Sequence, residues 1–462
     1  MHLLSRRKPS PHCRLALIAG AFALAVAALV PVAAQSFDPP TLALLRALQR
    51  QPNELARYNY LVQTAPQLPP TAQNVARQYA SFAQDELGIY DEAVLGFPVE
   101  ASGPADLELP AASEWHGRNA VDVVTELAAG RRIVMVNEAH HDARSRQLTL
   151  ALLPRLRKLG YTHFAAEALV EGDTDLARRG YPVNKSGTEY LREPLYGDIV
   201  REALRLGFVL VPYDNGTGSA QEREVAQAET LYRKVLAGHP EARLFVHAGY
   251  AHIDKAPGRL IRLQPMAARL QELSGLEPLS IDQTEIMETG WNTTDLYHRL
   301  VARFPSREPE ILVDHDGKPW SARPTLYDAN VMLPPSLSMA AFGNQQKFGS
   351  ALDAGTNMVS DTSRFSLLRQ SLLHMQRPDW LRLGGQRRPY DIDTTLCRST
   401  TPCLVEAHYA GEPDDATAAD RYAFMKPAQA TRLFLRPGHY RLRAWDLDGR
   451  TLSEREIDIS QP

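Results

Sequence analysis

Short apolar runs alternate with helix-like stretches over the middle of the chain. In the helix-like stretches apolar residues recur at helical spacing, as at 143–159, where several leucines share one face. The runs between these stretches hold almost no polar residue, which is typical of strands buried on both faces. The runs lie at residues 133–136, 162–166, 208–212, 244–247 and 279–281. This alternation predicts an α/β fold over residues 117–300, with a mainly parallel sheet flanked by helices.

The chain before this domain has a helical pattern throughout. Over residues 36–115 apolar positions recur at helical spacing. The pairs Pro39-Pro40 and Pro69-Pro70 stand where the first turn of a helix tolerates proline. No chemical motif is visible in this stretch. We therefore expect an N-terminal helical segment that packs against the residues that follow it.

The chain after the α/β domain changes pattern twice. Residues 344–363 are rich in Gly, Ser, Asn and Asp, which predicts a connecting region at 301–377 with a flexible loop. From 378 to 462 apolar and polar residues alternate, and Asp448-Gly449 is a hairpin turn signal. This last stretch predicts a small β-sandwich domain.

The first 34 residues have the layout of a bacterial-type secretory signal peptide. Four basic residues come before or at the start of an apolar run, and Val32-Ala33-Ala34 supplies the small residues that a signal peptidase accepts. We expect cleavage of residues 1–34 and a mature protein that is periplasmic or secreted. The alternative is an uncleaved anchor, because about 20 apolar residues can span a bilayer. No second run of that length follows, so we expect no stable membrane insertion after cleavage.

Charge and cysteine content narrow the possible partners. The formal net charge is −3, and removing residues 1–34 takes away four basic and no acidic residues, which leaves −7. A mildly acidic protein without a basic block argues against nucleic acid as a partner. Cys397 and Cys403 remain after cleavage, and in an exported protein they are expected to form a disulfide. A metal-binding cysteine pair is the alternative.

Two imidazoles and two carboxylates follow the predicted strands. Glu138 and His140 come after the first apolar run, Glu167 after the second and His252 after the fourth. In an open parallel sheet the carboxyl ends of the strands converge on one crevice. The four side chains therefore predict a catalytic or metal-binding centre. If a divalent metal is bound, His140, Glu167 and His252 are the expected ligands.

These motifs resemble those of the erythromycin esterase, ChaN-like haem-binding and Tiki protease superfamily, over residues 117–290. Members have Gly-Glu-x-His after the first strand, a glutamate after the second and Gly-x-x-His after a later one. Asn137-Glu-Ala-His140, Glu167 and Gly249-Tyr-Ala-His252 stand in those places. Asn137 departs from the glycine of the family. Asparagine tolerates a positive φ, so we expect the turn to be kept, with an altered approach of substrate to that backbone.

Each of these residues also has a plain structural interpretation. His140 is either a base or ligand, or a cap of the following helix. Glu167 either does chemistry or pairs with Arg144 or Arg146, and Glu138 is expected to orient His140. Residues with a weaker claim to the pocket are Asn137, Asp214, His247, Tyr250 and Gln283.

Three functions follow from the resemblance and remain as alternatives. The first, which we expect, is an exported, metal-dependent hydrolase that cleaves an ester or an amide bond of a small-molecule or peptide substrate, with His140 activating water. The second is a non-catalytic haem-binding or metal-binding protein of the ChaN type, for which Tyr250 is the candidate axial ligand. The third is an interaction protein with a vestigial pocket, in which the β-sandwich binds a protein partner.

Overall fold

The computed structural model describes residues 37–99, 103–104, 107–260, 262–290, 294–336 and 377–460. The predicted signal peptide at residues 1–34 and the predicted flexible loop at 344–363 lie outside these ranges. Within them, no helix is both long enough and apolar enough to cross a membrane.

The N-terminal segment is helical over a shorter range than the sequence predicts. Its helices are α1 (Pro39–Gln49), α2 (Glu54–Thr64), α3 (Pro70–Glu86) and α4 (Tyr90–Gly96). The helical segment therefore ends at Gly96 rather than at residue 115, and the described residues of 97–115 contain no helix. Pro98 explains the stop, because the residue before a proline disfavours the helical region, and Phe97 is extended with ψ 130°.

An eight-stranded sheet forms the centre of the fold. Its strands are β1 (His116–Asn119), β2 (Ile133–Glu138), β3 (His163–Ala166), β4 (Val209–Val211), β5 (Leu244–Gly249), β6 (Leu279–Asp282), β7 (Glu310–Val313) and β8 (Ala329–Met332). The order across the sheet is β1-β7-β8-β6-β2-β5-β3-β4. Strand β7 is antiparallel to both of its neighbours, and the other pairs are parallel. The predicted α/β fold with a mainly parallel sheet is confirmed.

Helices cover both faces of this sheet, which explains why strands such as β2 and β5 are continuous apolar runs over most of their length. One layer holds α5 (Ala120–Ala128), α6 (Arg146–Lys158), α7 (Leu176–Arg179) and α8 (Pro194–Arg205), and the other holds α9 (Ala220–Leu231) and α10 (Met266–Ser274). Successive side chains of a strand point to opposite faces. Val134 and Val136 of β2 accordingly pack in the first layer, whereas Ile133 and Met135 pack in the second.

The sheet continues past residue 300, where the sequence predicted a connecting region. Helix α11 (Leu296–Arg303) packs on β7 and β8, and β8 pairs with β6 in the same sheet as β2. The strand–helix alternation is lost here because β7 and β8 are joined without an intervening helix and pair antiparallel. The described residues up to 336 therefore belong to the α/β unit.

The C-terminal part is built from two antiparallel sheets around one core. Its strands are β9 (Arg388–Asp393), β10 (Cys403–Tyr409), β11 (Asp420–Phe424), β12 (Ala430–Leu435), β13 (Gly438–Asp446) and β14 (Thr451–Ile459). One sheet has the order β11-β10-β13-β14 and the other pairs β12 with β9. Cys397 and Cys403 form the predicted disulfide, with Cα atoms 6.0 Å apart.

The N-terminal helices and the C-terminal sheets share a hydrophobic core. Leu55 of α2 and Ala83 of α3 pack in the same cluster as Leu404, Leu433 and Leu442. An ion pair of 2.6 Å joins Glu54 of α2 to Arg421 of β11. The N-terminal segment is thus held by the sandwich as well as by the α/β unit.

Candidate functional site

The predicted site residues lie at the carboxyl ends of three neighbouring parallel strands. Glu138 is the last residue of β2, Glu167 directly follows β3, and His252 lies in the short helical turn after β5. A Cβ atom built on Gly249, the last residue of β5, would lie 2.7 Å from His140 Nε2 and 3.1 Å from Glu167 Oε2. The structure therefore brings the side chains of His140 and Glu167 close to the same point at the end of β5.

Glu138 orients the His140 ring. Its Oε1 lies 3.1 Å from His140 Nδ1, and its Oε2 accepts a hydrogen bond of 2.5 Å from Arg146 Nε. His247 Nε2 lies 3.4 Å from the same Oε2. Burial favours the neutral acid, but Arg146 and the two imidazoles outweigh it and hold the pKa of Glu138 well below its usual range. Glu138 is therefore a carboxylate that fixes the ring from its Nδ1 side.

His140 is packed among aromatic rings beside a cleft. Its ring stacks on Tyr190 with centroids 4.0 Å apart and meets Tyr250 edge-on at 5.0 Å. Among the described residues, no hydrogen bond engages Nε2 of His140. The cleft beside it is lined by residues that include Tyr79, Phe82, Asp85, Glu86, Arg146 and Tyr190. His140 thus stands at a cleft whose walls come from α3 as well as from the α/β unit.

Glu167 is held by one arginine and one backbone amide. Its Oε1 accepts a hydrogen bond of 2.6 Å from Arg223, and its Oε2 accepts one of 2.5 Å from the Gly249 amide. Burial opposes ionisation, but His252 and Arg223 together keep the pKa of Glu167 well below its usual range. The expected structural partners were Arg144 and Arg146. The partner in the structure is instead Arg223 of α9, because Arg146 pairs with Glu138 and Arg144 with Asp142 and Glu288.

His252 lies between two carboxylates. Its Nδ1 is 2.6 Å from Glu224 Oε1, and its Nε2 is 3.5 Å from Glu167 Oε1. Burial lowers the pKa of His252, but Glu224 and Glu167 outweigh it and raise that pKa to about 10. At neutral pH the ring is therefore a cation that faces the Glu167 carboxylate.

Asn137 and Gln283 form a buried network beneath the site. The side-chain amide of Asn137 donates hydrogen bonds of 2.7 Å to the Tyr250 carbonyl and to Asp282 Oδ1. Its Oδ1 accepts one of 2.6 Å from the backbone N–H of Gln283. Asn137 lies within strand β2 and does not have a positive φ. The prediction of a turn at this residue is therefore wrong. Its side chain stabilises the packing of β2 against β6, whereas a glycine there would supply no such contact.

Asp214 and His247, which were predicted as secondary pocket residues, contact partners of the central side chains. Asp214 accepts from Arg223 Nε at 3.0 Å and so braces the cation that holds Glu167. His247 is fully buried and bonds Thr149 Oγ1 at 2.9 Å, on the far side of Glu138 from His140. Both residues support the site through these partners.

Tyr250 is buried and packs against two histidines. It has a φ of 42°, and its hydroxyl lies 3.4 Å from His141 Nδ1. His141 in turn stacks on Phe97 at 3.6 Å, and burial lowers the pKa of His141 to about 3. An axial haem ligand needs an exposed position on an apolar surface, and Tyr250 does not have one. The haem alternative gains no support from this residue.

The predicted metal ligands are engaged with other partners. In the part of the chain that is described, no group of three or more His, Cys, Asp or Glu side chains is placed to hold a metal ion. Both oxygens of Glu167 accept hydrogen bonds, and both ring nitrogens of His252 face carboxylates. A metal-binding imidazole must be neutral, whereas in this arrangement Glu224 and Glu167 raise the pKa of His252 to about 10. In this conformation the set does not fit a divalent cation, and metal binding by His140, Glu167 and His252 stays a prediction.

Several residues of the site were missed in the sequence. Arg223 and Glu224 are neighbours near the start of α9, the helix that follows the short strand β4. Asp85 of α3 bonds Arg146 at 2.6 Å from a segment without any motif. Tyr190 lies in a short helical turn before α8. A charged pair at the start of a helix that follows a parallel strand was a usable signal for Arg223 and Glu224. Asp85 and Tyr190 had none.

Comparison with known proteins leaves the family open. No protein-family model matches the sequence, and no curated protein matches it. A solved structure described as that of bacterial protein toxins is 17% identical, with a TM-score of 0.27, and the match covers 35% of this chain and 36% of that chain. A TM-score this low supports no inference about fold or function.

Proposed function

We propose that this protein is a hydrolase of ester or amide bonds in which His140 is the general base. The observation that carries the proposal is the Glu138–His140 pair at the end of β2. Glu138 lies 3.1 Å from Nδ1, which leaves Nε2 without a hydrogen bond to a described residue and beside Glu167. A carboxylate on one ring nitrogen and a free second nitrogen are what a general base needs.

The proposed reaction uses one water molecule. His140 Nε2 takes a proton from water while the oxygen of that water attacks the carbonyl carbon of the substrate. Glu138, held ionised by Arg146, stabilises the imidazolium that forms. The tetrahedral intermediate then breaks its bond to the leaving alcohol or amine, which takes the proton from Nε2. Protonated His252 and Arg223 both contact Glu167 and keep its pKa low, so that a charged carboxylate lies near His140.

The proposal extends to substrate and compartment. We propose a small-molecule or peptide substrate that reaches His140 through the cleft lined by Tyr79, Phe82 and Tyr190. We also propose export with removal of residues 1–34, which the Cys397–Cys403 disulfide supports because disulfides persist in oxidising compartments. N-terminal sequencing of the mature protein tests this, and an intact residue 1 would overturn it.

Replacing His140 tests the hydrolase proposal. His140→Gln should lower kcat/KM by roughly 10²-fold to 10⁴-fold on any ester or peptide that the wild type cleaves, because general-base catalysis contributes that much. His239→Gln is the matched control. His239 is exposed and precedes β5, at the opposite edge of the sheet from His140, and activity should be unchanged. Full activity in His140→Gln would overturn the proposal.

Dialysis against a chelator tests whether activity depends on a divalent metal. The proposed reaction assigns no step to a metal, so activity should survive removal of divalent cations. If activity falls and returns when one cation is added back, the metal-dependent form of the prediction replaces the metal-free one. Haem titration alongside tests the haem-binding alternative.

A further inference from the structure

We infer that Glu224 is a positioning residue of the site, which fixes the His252 ring so that its Nε2 faces Glu167. The inference rests on the proposed hydrolase function for its effect on turnover. Its structural part is independent of that function. Glu224 lies on α9, directly after Arg223, the residue that donates to Glu167.

Glu224 is itself held rigidly. Its side chain is buried, and its Oε2 accepts a hydrogen bond of 2.7 Å from the Met266 amide at the start of α10. Its Oε1 lies 2.6 Å from His252 Nδ1. The carboxylate therefore joins the turn after β5 to two helices of the same layer. Such a fixed contact restricts the rotation of the ring.

The contact resembles the arrangement at His140, although Glu224 meets His252 Nδ1 as an ion pair without hydrogen-bond geometry, whereas Glu138 bonds His140 Nδ1. In both histidines a glutamate lies beside Nδ1, Glu138 for His140 and Glu224 for His252. His252 Nε2 lies 3.5 Å from Glu167 Oε1. His140 Nε2 and Glu167 Oε2 both lie near the position that a Cβ on Gly249 would take, at 2.7 Å and 3.1 Å from it. Two separately braced imidazoles thus converge on one carboxylate. A brace of this kind acts on reactivity through orientation, because small misplacements of reacting groups are costly.

Glu224→Gln tests the inference, with Glu229→Gln on the same helix as the control. Glutamine keeps an oxygen for the Met266 amide but loses the charge that holds His252. The side chain of Glu229 is half exposed, and its ion pair among the residues described is with Arg269 at 3.6 Å. Glu224→Gln should lower kcat by about 10-fold to 100-fold with little change in KM, the range seen when partners that orient a functional ring are removed. Glu229→Gln should change neither.

Ring ¹⁵N signals of His252 give a second readout that needs no substrate. In protein labelled at histidine, the His252 signals should shift in Glu224→Gln and stay in place in Glu229→Gln. Unchanged His252 signals in Glu224→Gln would overturn the positioning role. If the wild type cleaves no substrate, the proposed function fails, while the ¹⁵N spectra still decide for or against the role of Glu224. If the signals shift and kcat does not fall, the inference is also overturned, because the orientation of His252 would then not matter for turnover.

Discussion

At the scale of single residues, the site holds two buried carboxylates, Glu138 and Glu167, whose pKa values stay low because cations and donors surround them. An isolated buried carboxylate is costly and takes up a proton instead. Glu138 avoids this through Arg146, and Glu167 through Arg223, His252 and the Gly249 amide. The site is therefore a set of matched charges, and removing one partner leaves its opposite uncompensated.

Gly249→Ala should damage the site through contact alone. Gly249 has φ −77°, which any residue adopts, so the backbone permits alanine. The added Cβ would lie 2.6 Å from His140 Cε1, closer than real contacts allow, so the His140 ring must move. We expect kcat/KM to fall by about 100-fold and the free energy of unfolding by about 1–3 kcal/mol. Gly130→Ala is the control, because its Cβ would meet no atom within 4 Å. Equal activities of the two variants would contradict the proposed place of His140.

His252 should make stability depend on pH on the alkaline side. The unfolded pKa is about 6.5 and the folded pKa is raised to about 10. A raised folded pKa means that the ring stabilises the fold fully below about pH 6.5 and loses this contribution as the pH rises through about 10. The difference in free energy of unfolding between wild type and His252→Gln, measured in urea at pH 6, 8 and 10, should shrink as the pH rises. A difference that stays constant would show that the folded ring is not a stabilised cation.

The residues at strand ends could be predicted from the sequence, whereas their partners could not. An apolar run marks a buried strand, and whatever follows it stands at the edge of the sheet, which located Glu138, Glu167 and His252. Arg223 and Glu224 come from a helix, where charged residues are ordinarily assigned to solvent. Their place at the start of a helix that follows a parallel strand was a local signal, but which residues they contact depends on how α9 packs against β3 and β5.

At the scale of elements, helix α3 is part of the site rather than a cap over it. Asp85 of α3 bonds Arg146 at 2.6 Å and accepts from the Ala143 amide at 2.9 Å. Phe82 of the same helix lies edge-on to His140 at 6.3 Å. Burial raises the pKa of Asp85 well above its usual range, against the pull of Arg146. The N-terminal segment thus helps to hold the arginine that keeps Glu138 charged.

Asp85→Asn should therefore weaken both activity and stability. Asparagine keeps an oxygen that can accept from the Ala143 amide, but it places an NH₂ group, which cannot accept a hydrogen bond, where Asp85 Oδ2 accepts from Arg146. We expect the free energy of unfolding to fall by about 1–3 kcal/mol and kcat to fall with it. Asp122→Asn is the control, since Asp122 is 54% exposed and pairs only loosely with Arg155 at 3.5 Å. Equal loss of activity in both variants would contradict the role of α3 in the site.

The elements in the strongly alternating part of the sequence were predicted well. The strands β1 and β7 were not. Strands β2 to β6 and their helices follow the predicted series because β2, β3, β5 and β6 are apolar strands in the middle of the sheet, and the edge strand β4 is also an apolar run. Strand β1 is short and polar, and β7 turns back against β8. Neither carries a continuous apolar run followed by a helix, so their membership of the sheet depends on partners that are distant in sequence.

At the scale of the whole molecule, the two ends of the chain pack against each other. Leu55 and Leu87 near one end share a core with Leu404 and Phe424 near the other. The Ala423 amide also donates to the Leu87 carbonyl at 3.1 Å. Sequence patterns predicted a helical segment and a β-sandwich separately. An apolar pattern shows that a face is buried, but it does not show which other face it packs against. Only the folded molecule shows that they close on each other.

Because these two packed parts are far apart in sequence, the N-terminal helices are synthesised well before the C-terminal sheets that cover them. Leu87 leaves the ribosome roughly 300 residues before Leu404, which at about 5–20 residues per second is on the order of 15 to 60 seconds. For that interval the apolar face of α3 that the sandwich will cover has no final partner. The helices that carry Phe82 and Asp85 to the site can therefore reach their final packing only late, after nearly the whole chain has been made. A nascent chain stalled before residue 403 should expose this face, whatever state its α/β unit has reached.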